Sequence, residues 1–196
     1  MAKVLVPLAD GCEELEAVTI IDLLRRAGIE VVTAGLKPGI VKASRGVQIV
    51  PDVTLDVALQ DEYDMVVLPG GMPGATHLGN DPRIIGLLKK MAAADKYAAA
   101  ICAAPVVLAT AGLLDGKSAT SYPGFLDAAP APGMHYRADA VVQDGRVVTS
   151  RGPGTAMDFA LTLIKILSGD DKRAEVESAL VRALASARQV TSIIIH

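Results

Sequence analysis

The chain has 196 residues, of which 51% are hydrophobic and 21% are charged, and its net charge is −3. This balance excludes a disordered chain, and the length suits one domain with a sizeable core, which we expect to span residues 1–196. The sequence has no block of lysine and arginine residues that could bind a nucleic-acid backbone. It also has no apolar run of the ~20 residues that are needed to span a bilayer. We therefore expect a cytoplasmic protein without a nucleic-acid or membrane partner.

The beginning of the chain predicts a β-α-β unit. KVLVPL (3–8) is a short apolar run ended by a turn, which is typical of a buried strand. Residues 13–28 follow with apolar residues at helical spacing, acids in the first turn, arginines in the last turn and Gly28 as a stop. IEVVTAG (29–35) is the next strand, so the order implies a parallel sheet with a right-handed crossover.

The alternation of strands and helices continues along the chain. Further predicted elements are a short antiparallel excursion at 40–50, strands at 63–71 and 97–102, a helix at 81–96, a helix beginning after 102, a hairpin at 141–152, and helices at 153–169 and 171–188. No linker or composition break divides them. We therefore predict an α/β sandwich of three layers with a mostly parallel sheet.

Three segments reach the edge of this sheet where ligands of such folds bind, beyond the carboxyl ends of the strands. They are ADGCEELE (9–16), LPGGMPGA (68–75) and AICAAP (100–105). None of them has the lysine of a phosphate-binding loop. The two cysteines and three histidines are scattered without the spacing of a disulfide framework or of metal ligands. We expect no metal and no other cofactor.

Cys102 lies where the chain leaves a buried strand and enters a helix within one or two residues. At such a corner the side chain lies beside free backbone N–H groups and the positive end of the helix, an environment that lowers a thiol pKa. The flanking alanines fit a sharp corner, which tolerates only small neighbours. A buried packing cysteine is the alternative, because free cysteine is among the most buried residue types.

Two other segments could complete the chemistry of this corner. Glycines directly after a strand allow close approach of the backbone, so the N–H groups of Gly71 and Ala103 could form an oxyanion hole; a plain turn is the alternative. Glu16 lies among apolar neighbours, and burial would raise its pKa and make it a proton donor or acceptor near neutral pH. A solvated helix acid remains the other interpretation. Cys12 is predicted on an exposed turn beside acids that raise its pKa.

Several motifs together resemble one known family. In chain order they are ADGCEELEAV, RRAGIEV, YDMVVLPGG, AAICAAP and TSRGPGTAMDFAL. Their order and spacing are similar to those of the ThiJ/PfpI superfamily, and in particular to its branch with the human Parkinson's-disease protein and the bacterial YajL protein. The resemblance runs roughly from Lys3 to Leu184, and it is specific because the motifs agree together.

The resemblance implies a flavodoxin-like fold of the class I glutamine-amidotransferase-like type and a homodimer. It implies that Cys102 is a reactive cysteine on a strained nucleophile elbow and that Glu16 hydrogen-bonds its sulfur. It also implies that Gly70, Gly71 and Ala103 provide the backbone donors near the sulfur. The resemblance further implies that one loop approaches the active site of the partner subunit; its residues are Arg151, Gly152, Pro153 and Gly154. It also implies that Arg25 and Arg45 lie near the dimer interface.

Tyr122 marks a departure from the family pattern. It stands in Thr120-Ser121-Tyr122-Pro123, where the human branch has a histidine near the cysteine. A cysteine protease is therefore not expected, because peptide cleavage needs a base for the sulfur and an acid for the leaving amine.

Members of this branch are assigned glyoxalase activity without glutathione, repair of early glycation adducts, covalent chaperoning and peroxide sensing. We expect a cysteine-dependent stress-response enzyme of the glyoxalase III or deglycase type, acting on α-oxoaldehydes such as methylglyoxal or on glycated proteins. The alternative is a non-enzymatic redox sensor or covalent chaperone in which Cys102 is oxidised to sulfinic acid. A ligand-binding relic of an amidotransferase is a further alternative, and no residue supports a step in thiamine biosynthesis.

Overall fold

The computed structural model of the protein describes residues 1–128 and 131–182. The strands are β1 (Lys3–Leu8), β2 (Glu30–Gly35), β3 (Val41–Lys42), β4 (Gln48–Ile49), β5 (Val53–Thr54), β6 (Met65–Leu68), β7 (Tyr97–Ile101), β8 (Ser118–Ala119), β9 (His135–Tyr136), β10 (Val141–Asp144) and β11 (Val147–Ser150). The helices are α1 (Glu14–Arg26), α2 (Leu55–Ala58), α3 (Gly74–Asn80), α4 (Pro82–Ala93), α5 (Pro105–Thr110), α6 (Phe125–Ala128) and α7 (Ala156–Ala179).

A seven-stranded sheet with the order β10-β11-β7-β6-β1-β2-β5 forms the centre of this part of the chain. Its pairings are parallel except for β10 with β11, so the predicted mostly parallel sheet is confirmed. The predicted hairpin at 141–152 and the excursion at 40–50 are antiparallel pairs as expected. All residues of β6 are buried, which explains its continuous apolar sequence.

Two apolar clusters cover the two faces of the sheet and complete a three-layer α/β sandwich. One cluster joins the sheet to α1 and α7, and the other joins it to α2, α4 and α5. Both consist mainly of valine, leucine, isoleucine and alanine, with Phe159 as the largest fully buried side chain. Because helices lie on both faces, the carboxyl edge of the strands is left as the place where loops converge.

The helices confirm most of the predicted boundaries. The helix expected at 81–96 is α4: Asp81 caps it by accepting a hydrogen bond from the Arg83 N–H at 2.9 Å, and Pro82 occupies the first helical position. The segment Pro153–Thr155 is a 3₁₀ turn rather than the start of the next helix. The two predicted C-terminal helices join as α7, with a break at Gly169, where φ is 87° and ψ is 173°.

Several short elements were absent from the sequence prediction. They are β5, α2, α3, β8, α6 and β9, none longer than the seven residues of α3. The predicted helical residues 183–188 and the segment TSIIIH (191–196) lie outside the described residues. Within the described part, none of the helices combines the length and hydropathy needed to cross a bilayer.

Candidate active site

Cys102 occupies the corner between β7 and α5, and its backbone lies in the left-handed region with φ 64°. This conformation is strained for a residue with a side chain, so it persists only where the surroundings hold it. Here the Cys102 N–H donates to the Ser150 carbonyl at 3.0 Å, and the Tyr122 N–H donates to the Cys102 carbonyl at 2.9 Å. Both backbone groups of Cys102 are therefore fixed by other segments, which hold the strained corner in place.

Glu16 lies in the first turns of α1 and is fully buried. Its Oε2 accepts a hydrogen bond from the Gly70 N–H at 2.8 Å, and its Oε1 has no hydrogen-bond partner among the described residues. Burial raises the pKa of Glu16 to about 7, although the Gly70 N–H and the Cys102 side chain act in the opposite direction. Glu16 is thus a buried carboxyl group that can take up or release a proton near neutral pH.

The pKa of Cys102 differs from the sequence expectation. Burial raises the pKa of the thiol to about 12, and the negative charge of Glu16 acts in the same direction, while the N–H groups of Gly71 and Ala103 lower it. The expectation that the helix terminus lowers the thiol pKa is therefore wrong while Glu16 is ionised, because burial and the carboxylate charge outweigh the two backbone donors. Burial is the largest cause of the raised pKa of Cys102, and the charge on Glu16 is the next largest.

Glycines allow three backbone segments to meet at this corner. A Cβ on Gly70 would lie 2.6 Å from Cys102 Cβ and 2.8 Å from Glu16 Oε2, closer than real side-chain atoms come. Gly71 has φ 89°, and a Cβ there would lie 2.6 Å from the Gly11 carbonyl oxygen. A Cβ on Gly74 would lie 2.6 Å from the Cys12 nitrogen. We call Gly11, Gly70, Gly71 and Gly74 the glycine seam.

Tyr122 and the predicted loop at 151–154 lie together beside the corner. Tyr122, Pro123 and residues 151–155 line a surface cavity of about 240 Å³. The Tyr122 side chain is 49% exposed, and a Cβ on Gly152 would lie 3.2 Å from the Tyr122 ring, so that ring packs on the glycine. The Arg151 guanidinium donates to the Ala138 carbonyl at 3.3 Å. The fold therefore brings Tyr122 and this loop together within one chain, and the approach of the loop to a partner subunit stays a prediction.

Arg25 and Arg45 are not part of this corner within one chain. Arg25 lies near the end of α1, where it pairs with Asp52 at 2.7 Å and donates to the Val31 carbonyl. Arg45 lies on the loop between β3 and β4, with its backbone N–H donating to Glu14 at 2.9 Å.

Glu14 has a structural role that sequence reasoning missed. It is buried and accepts hydrogen bonds from the Ser44 hydroxyl and the N–H groups of Arg45 and Val47, so it anchors the β3–β4 loop. Burial acts to raise the pKa of Glu14, but these donors and its own backbone outweigh it, so the pKa is lowered. No local sequence signal distinguishes this role from that of an acid at a helix start.

Cys12 is fully buried, so the prediction of an exposed turn was wrong. The Cys12 N–H donates to the Ala9 carbonyl, and the Cys12 carbonyl accepts from Ser44 at 2.8 Å, which covers the turn with the β3–β4 loop. Burial raises the pKa of Cys12 to about 12, and the charge of Glu14 adds to the effect. Among the described residues, no three histidine, cysteine, aspartate or glutamate side chains come together as metal ligands.

Fold and site together define a flavodoxin-like α/β protein with a cysteine on a strained strand-to-helix corner beside a buried glutamate. Comparison with known proteins agrees: residues 2–166 match the model of the DJ-1/PfpI family. The chain belongs to the DJ-1/PfpI family.

Individual relatives span nearly the whole chain. Protein dj-1beta of Drosophila melanogaster is 46% identical over 91% of this chain and 96% of its own length. Its crystal structure superposes with a TM-score of 0.89 at 44% identity, covering 93% of this chain and 99% of that one. The oxidised DJ-1 of Toxoplasma gondii gives 0.88 at 42% identity, covering 94% of this chain and all (100%) of the other. A Caenorhabditis elegans protein named glutathione-independent glyoxalase DJR-1.2 is 38% identical over 87% of this chain and 90% of its own length.

Proposed function

We propose that the protein is a glutathione-independent glyoxalase that converts α-oxoaldehydes such as methylglyoxal into 2-hydroxy acids. The observation that carries the proposal is a strained cysteine beside a fully buried glutamate whose pKa is raised to about 7. A group with such a pKa is half-protonated near neutral pH and suits both directions of a proton transfer. The name of the C. elegans relative supports the same activity.

The first step needs the thiolate of Cys102. When the proton of the Cys102–Glu16 pair resides on Glu16, the carboxylate charge that raises the thiol pKa disappears, and the N–H groups of Gly71 and Ala103 stabilise the sulfur. The thiolate attacks the aldehyde carbon, a carbon–sulfur bond forms, and the carbonyl oxygen takes a proton from Glu16 to give a hemithioacetal. Backbone N–H groups at the corner stabilise the oxyanion that develops during the attack.

The second step moves hydrogen between the two substrate carbons. The Glu16 carboxylate removes the proton from the former aldehyde carbon and returns it to the neighbouring carbon, while the hydroxyl proton of the hemithioacetal passes to the oxygen of that neighbouring carbon. The product is a thioester of the 2-hydroxy acid. The first carbon is oxidised and the second is reduced, so the isomerisation balances within the substrate. Water then cleaves the thioester, releasing lactate from methylglyoxal and restoring the Cys102 thiol. The proposal extends to early glycation adducts on proteins if Cys102 attacks the carbinol carbon of the adduct and the protein's amine or thiol leaves with the proton of Glu16; the same hemithioacetal results.

The direct experiment follows lactate after methylglyoxal is mixed with purified protein. Cys102→Ala should reduce lactate formation to the uncatalysed level, and Glu16→Gln should reduce it roughly 100-fold or more. Cys12→Ala serves as the matched control and should retain the activity of the unmodified protein. Equal lactate formation by the unmodified protein and Cys102→Ala would rule the activity out.

A second candidate function is peroxide sensing, which is favoured by the Glu16 Oε1, an atom with no hydrogen-bond partner in the described part of the chain. Peroxide oxidises a thiolate to sulfenic and then sulfinic acid, adding one oxygen from each peroxide molecule. A protonated Glu16 could hydrogen-bond the sulfinate oxygen and hold the cysteine at that stage. After mild peroxide treatment, peptide mass spectrometry should find two added oxygens at Cys102. Earlier oxidation at Cys12 would contradict a sensing role.

A homodimer is part of the proposal because α1 leaves apolar side chains uncovered. Leu15 and Val18 on this helix are 51% and 50% exposed, and Val50 after β4 is 74% exposed. Leu15 and Val18 are three residues apart and therefore share one face of α1, and an exposed apolar face on a helix is a surface that a second chain can cover. Sedimentation should show a dimer, and Val18→Asp should shift it toward the monomer, with Val57→Asp as the control at an equally exposed valine on α2.

A further inference from the structure

A groove of about 620 Å³ lies between α3 and α5 and borders the candidate active site, although neither Cys102 nor Glu16 lines it. Its lining includes Ala103 itself and Met72, the residue directly after Gly71. Gly71 and Ala103 carry the two N–H groups that lower the pKa of the Cys102 sulfur. The groove therefore starts at the residues that provide the backbone donors of the site.

Among the residues that the structure describes, none of those lining this groove is charged. It consists of Met72, Ala75, Thr76, Gly79, Asn80, Ala103, Val106, Val107, Thr110, Pro123, Gly124 and Phe125. The Thr76 hydroxyl donates a hydrogen bond to the Met72 sulfur at 3.8 Å, and the Thr110 hydroxyl donates one to the Val106 carbonyl at 3.0 Å. Both hydroxyls thus have partners in their own segments, and the groove favours an uncharged, apolar occupant.

The volume of the groove is also informative. Pockets for small ligands commonly enclose about 300–1,000 Å³, and this groove is in that range. A three-carbon aldehyde such as methylglyoxal would leave most of it empty. A substrate with an aromatic or branched apolar substituent would bury that substituent against Val106, Val107 and Phe125 while its aldehyde reaches the sulfur.

We propose that this groove is a specificity pocket that binds the apolar substituent of an uncharged α-oxoaldehyde attached to Cys102. The inference rests on the proposed glyoxalase function and names the substrate class that the site prefers. The covalent chemistry is that described for methylglyoxal, with an aromatic or branched group in place of the methyl group. Phenylglyoxal is the probe, because its substituent is uncharged, rigid and apolar.

Gly79 offers a way to fill the groove without touching the sulfur. A Cβ at Gly79 would lie 3.6 Å from Val107 Cγ2, which is an ordinary van der Waals contact across the groove. Gly79→Ala and Gly79→Leu should therefore fold and narrow the groove progressively. Gly86→Ala and Gly86→Leu are matched controls, because Gly86 lies on α4 and a Cβ there meets no atom within 4 Å.

The kinetic test compares kcat/KM for phenylglyoxal and methylglyoxal. In the unmodified protein phenylglyoxal should have the lower KM, and Gly79→Leu should reduce the phenylglyoxal to methylglyoxal ratio of kcat/KM about 10-fold, mainly through KM. Gly79→Ala should give a smaller change in the same direction, and both Gly86 variants should keep the ratio. An unchanged ratio in both Gly79 variants would overturn the proposal.

A binding experiment separates this proposal from the proposed function. Benzyl alcohol, an uncharged aromatic probe without an aldehyde, should shift the methyl NMR signals of Met72, Val106 and Val107, and Gly79→Leu should abolish the shifts. These shifts in a protein that forms no lactate would support the groove while the glyoxalase proposal fails. Lactate formation without the shifts would overturn the groove alone. A Gly79→Leu variant that changes the sedimentation of the protein would also overturn it, by assigning the groove to a second copy.

Discussion

Cys12 and Cys102 are both free, buried cysteines, but different groups surround them. Each follows a buried strand at the carboxyl edge of the sheet, and burial raises the pKa of each to about 12. Cys12 lies beside acids, whereas Cys102 lies beside a carboxyl with a pKa of about 7 and two N–H groups, on a backbone with φ 64°. Burial therefore does not distinguish the two thiols, and our proposal that Cys102 is the reactive one depends on its neighbour Glu16, which can take its proton near neutral pH.

The largest loss of activity among these predictions is expected from adding a side chain at Gly70, between Cys102 and Glu16. In Gly70→Ala the new Cβ would lie 2.6 Å from Cys102 Cβ, so the corner must shift and the Gly70–Glu16 hydrogen bond is strained. Lactate formation should fall about 100-fold or more, because misplacement near 1 Å costs roughly this much. Gly86→Ala on α4 is the control, since a Cβ there meets no atom within 4 Å. Full activity of Gly70→Ala would show that the corner does not depend on this contact.

The pH dependence of alkylation tests the proton partner of Cys102. As pH rises through about 7, the Cys102–Glu16 pair loses one proton, and the thiolate with a protonated Glu16 becomes populated. The rate of Cys102 modification by iodoacetamide should rise in a step near this pH, and Glu16→Gln should lack the step. Asp22→Asn, at an exposed acid on the same helix, should keep it. A step that survives in Glu16→Gln would assign it to another group.

Stability should depend on pH through the same glutamate. Its pKa is raised from 4.5 to about 7, so the folded state holds a proton that the unfolded chain releases at lower pH. The contribution of Glu16 is therefore fully present below pH 4.5 and is lost as pH rises to about 7, a change of about 3 kcal/mol. Urea unfolding at pH 5 and pH 8 should show most of this loss, and Glu16→Gln should remove it. Equal pH dependence in the two proteins would contradict a buried carboxyl with this pKa.

The smallest effect is expected at the other cysteine. Cys12→Ala removes a fully buried sulfur from the core and should lower the free energy of unfolding by about 1 kcal/mol. Lactate formation and the modification rate of Cys102 should stay within about 2-fold of the unmodified protein. A large loss of activity in Cys12→Ala would mean that the two cysteine segments are functionally coupled.

The sequence predicted the longer elements because they carry periodic apolar patterns and clear ends. The strand at 3–8, the helix capped by Asp81 and the hairpin turning at Asp144-Gly145 all depend on local signals, and all three are present. Helix α3 was missed because GATHLGN has two glycines and few apolar residues, so packing against α5 rather than propensity stabilises it.

The candidate site could be assembled from strand order and family resemblance, but its electrostatics could not. Glu16 and Gly70 are 54 positions apart in the sequence, and no local pattern around either residue predicts that they meet. The burial of Cys12 depends on the β3–β4 loop covering its turn, and the raised pKa of Cys102 depends on how completely the corner is enclosed. How completely a side chain is buried depends on segments that are distant in the sequence, so a short motif cannot predict it.

The glycine seam has a consequence for anyone who wishes to re-engineer this protein. At Gly11, Gly70, Gly71 and Gly74 an added Cβ would come within 3.0 Å of another segment, so the loops are fitted main chain to main chain. A grafted site would have to carry all three loops as one unit, because side chains cannot restore a spacing that only bare backbone permits. Mutant libraries that aim to change substrate selectivity should instead vary the residues that line the α3–α5 groove, where added side-chain atoms have space.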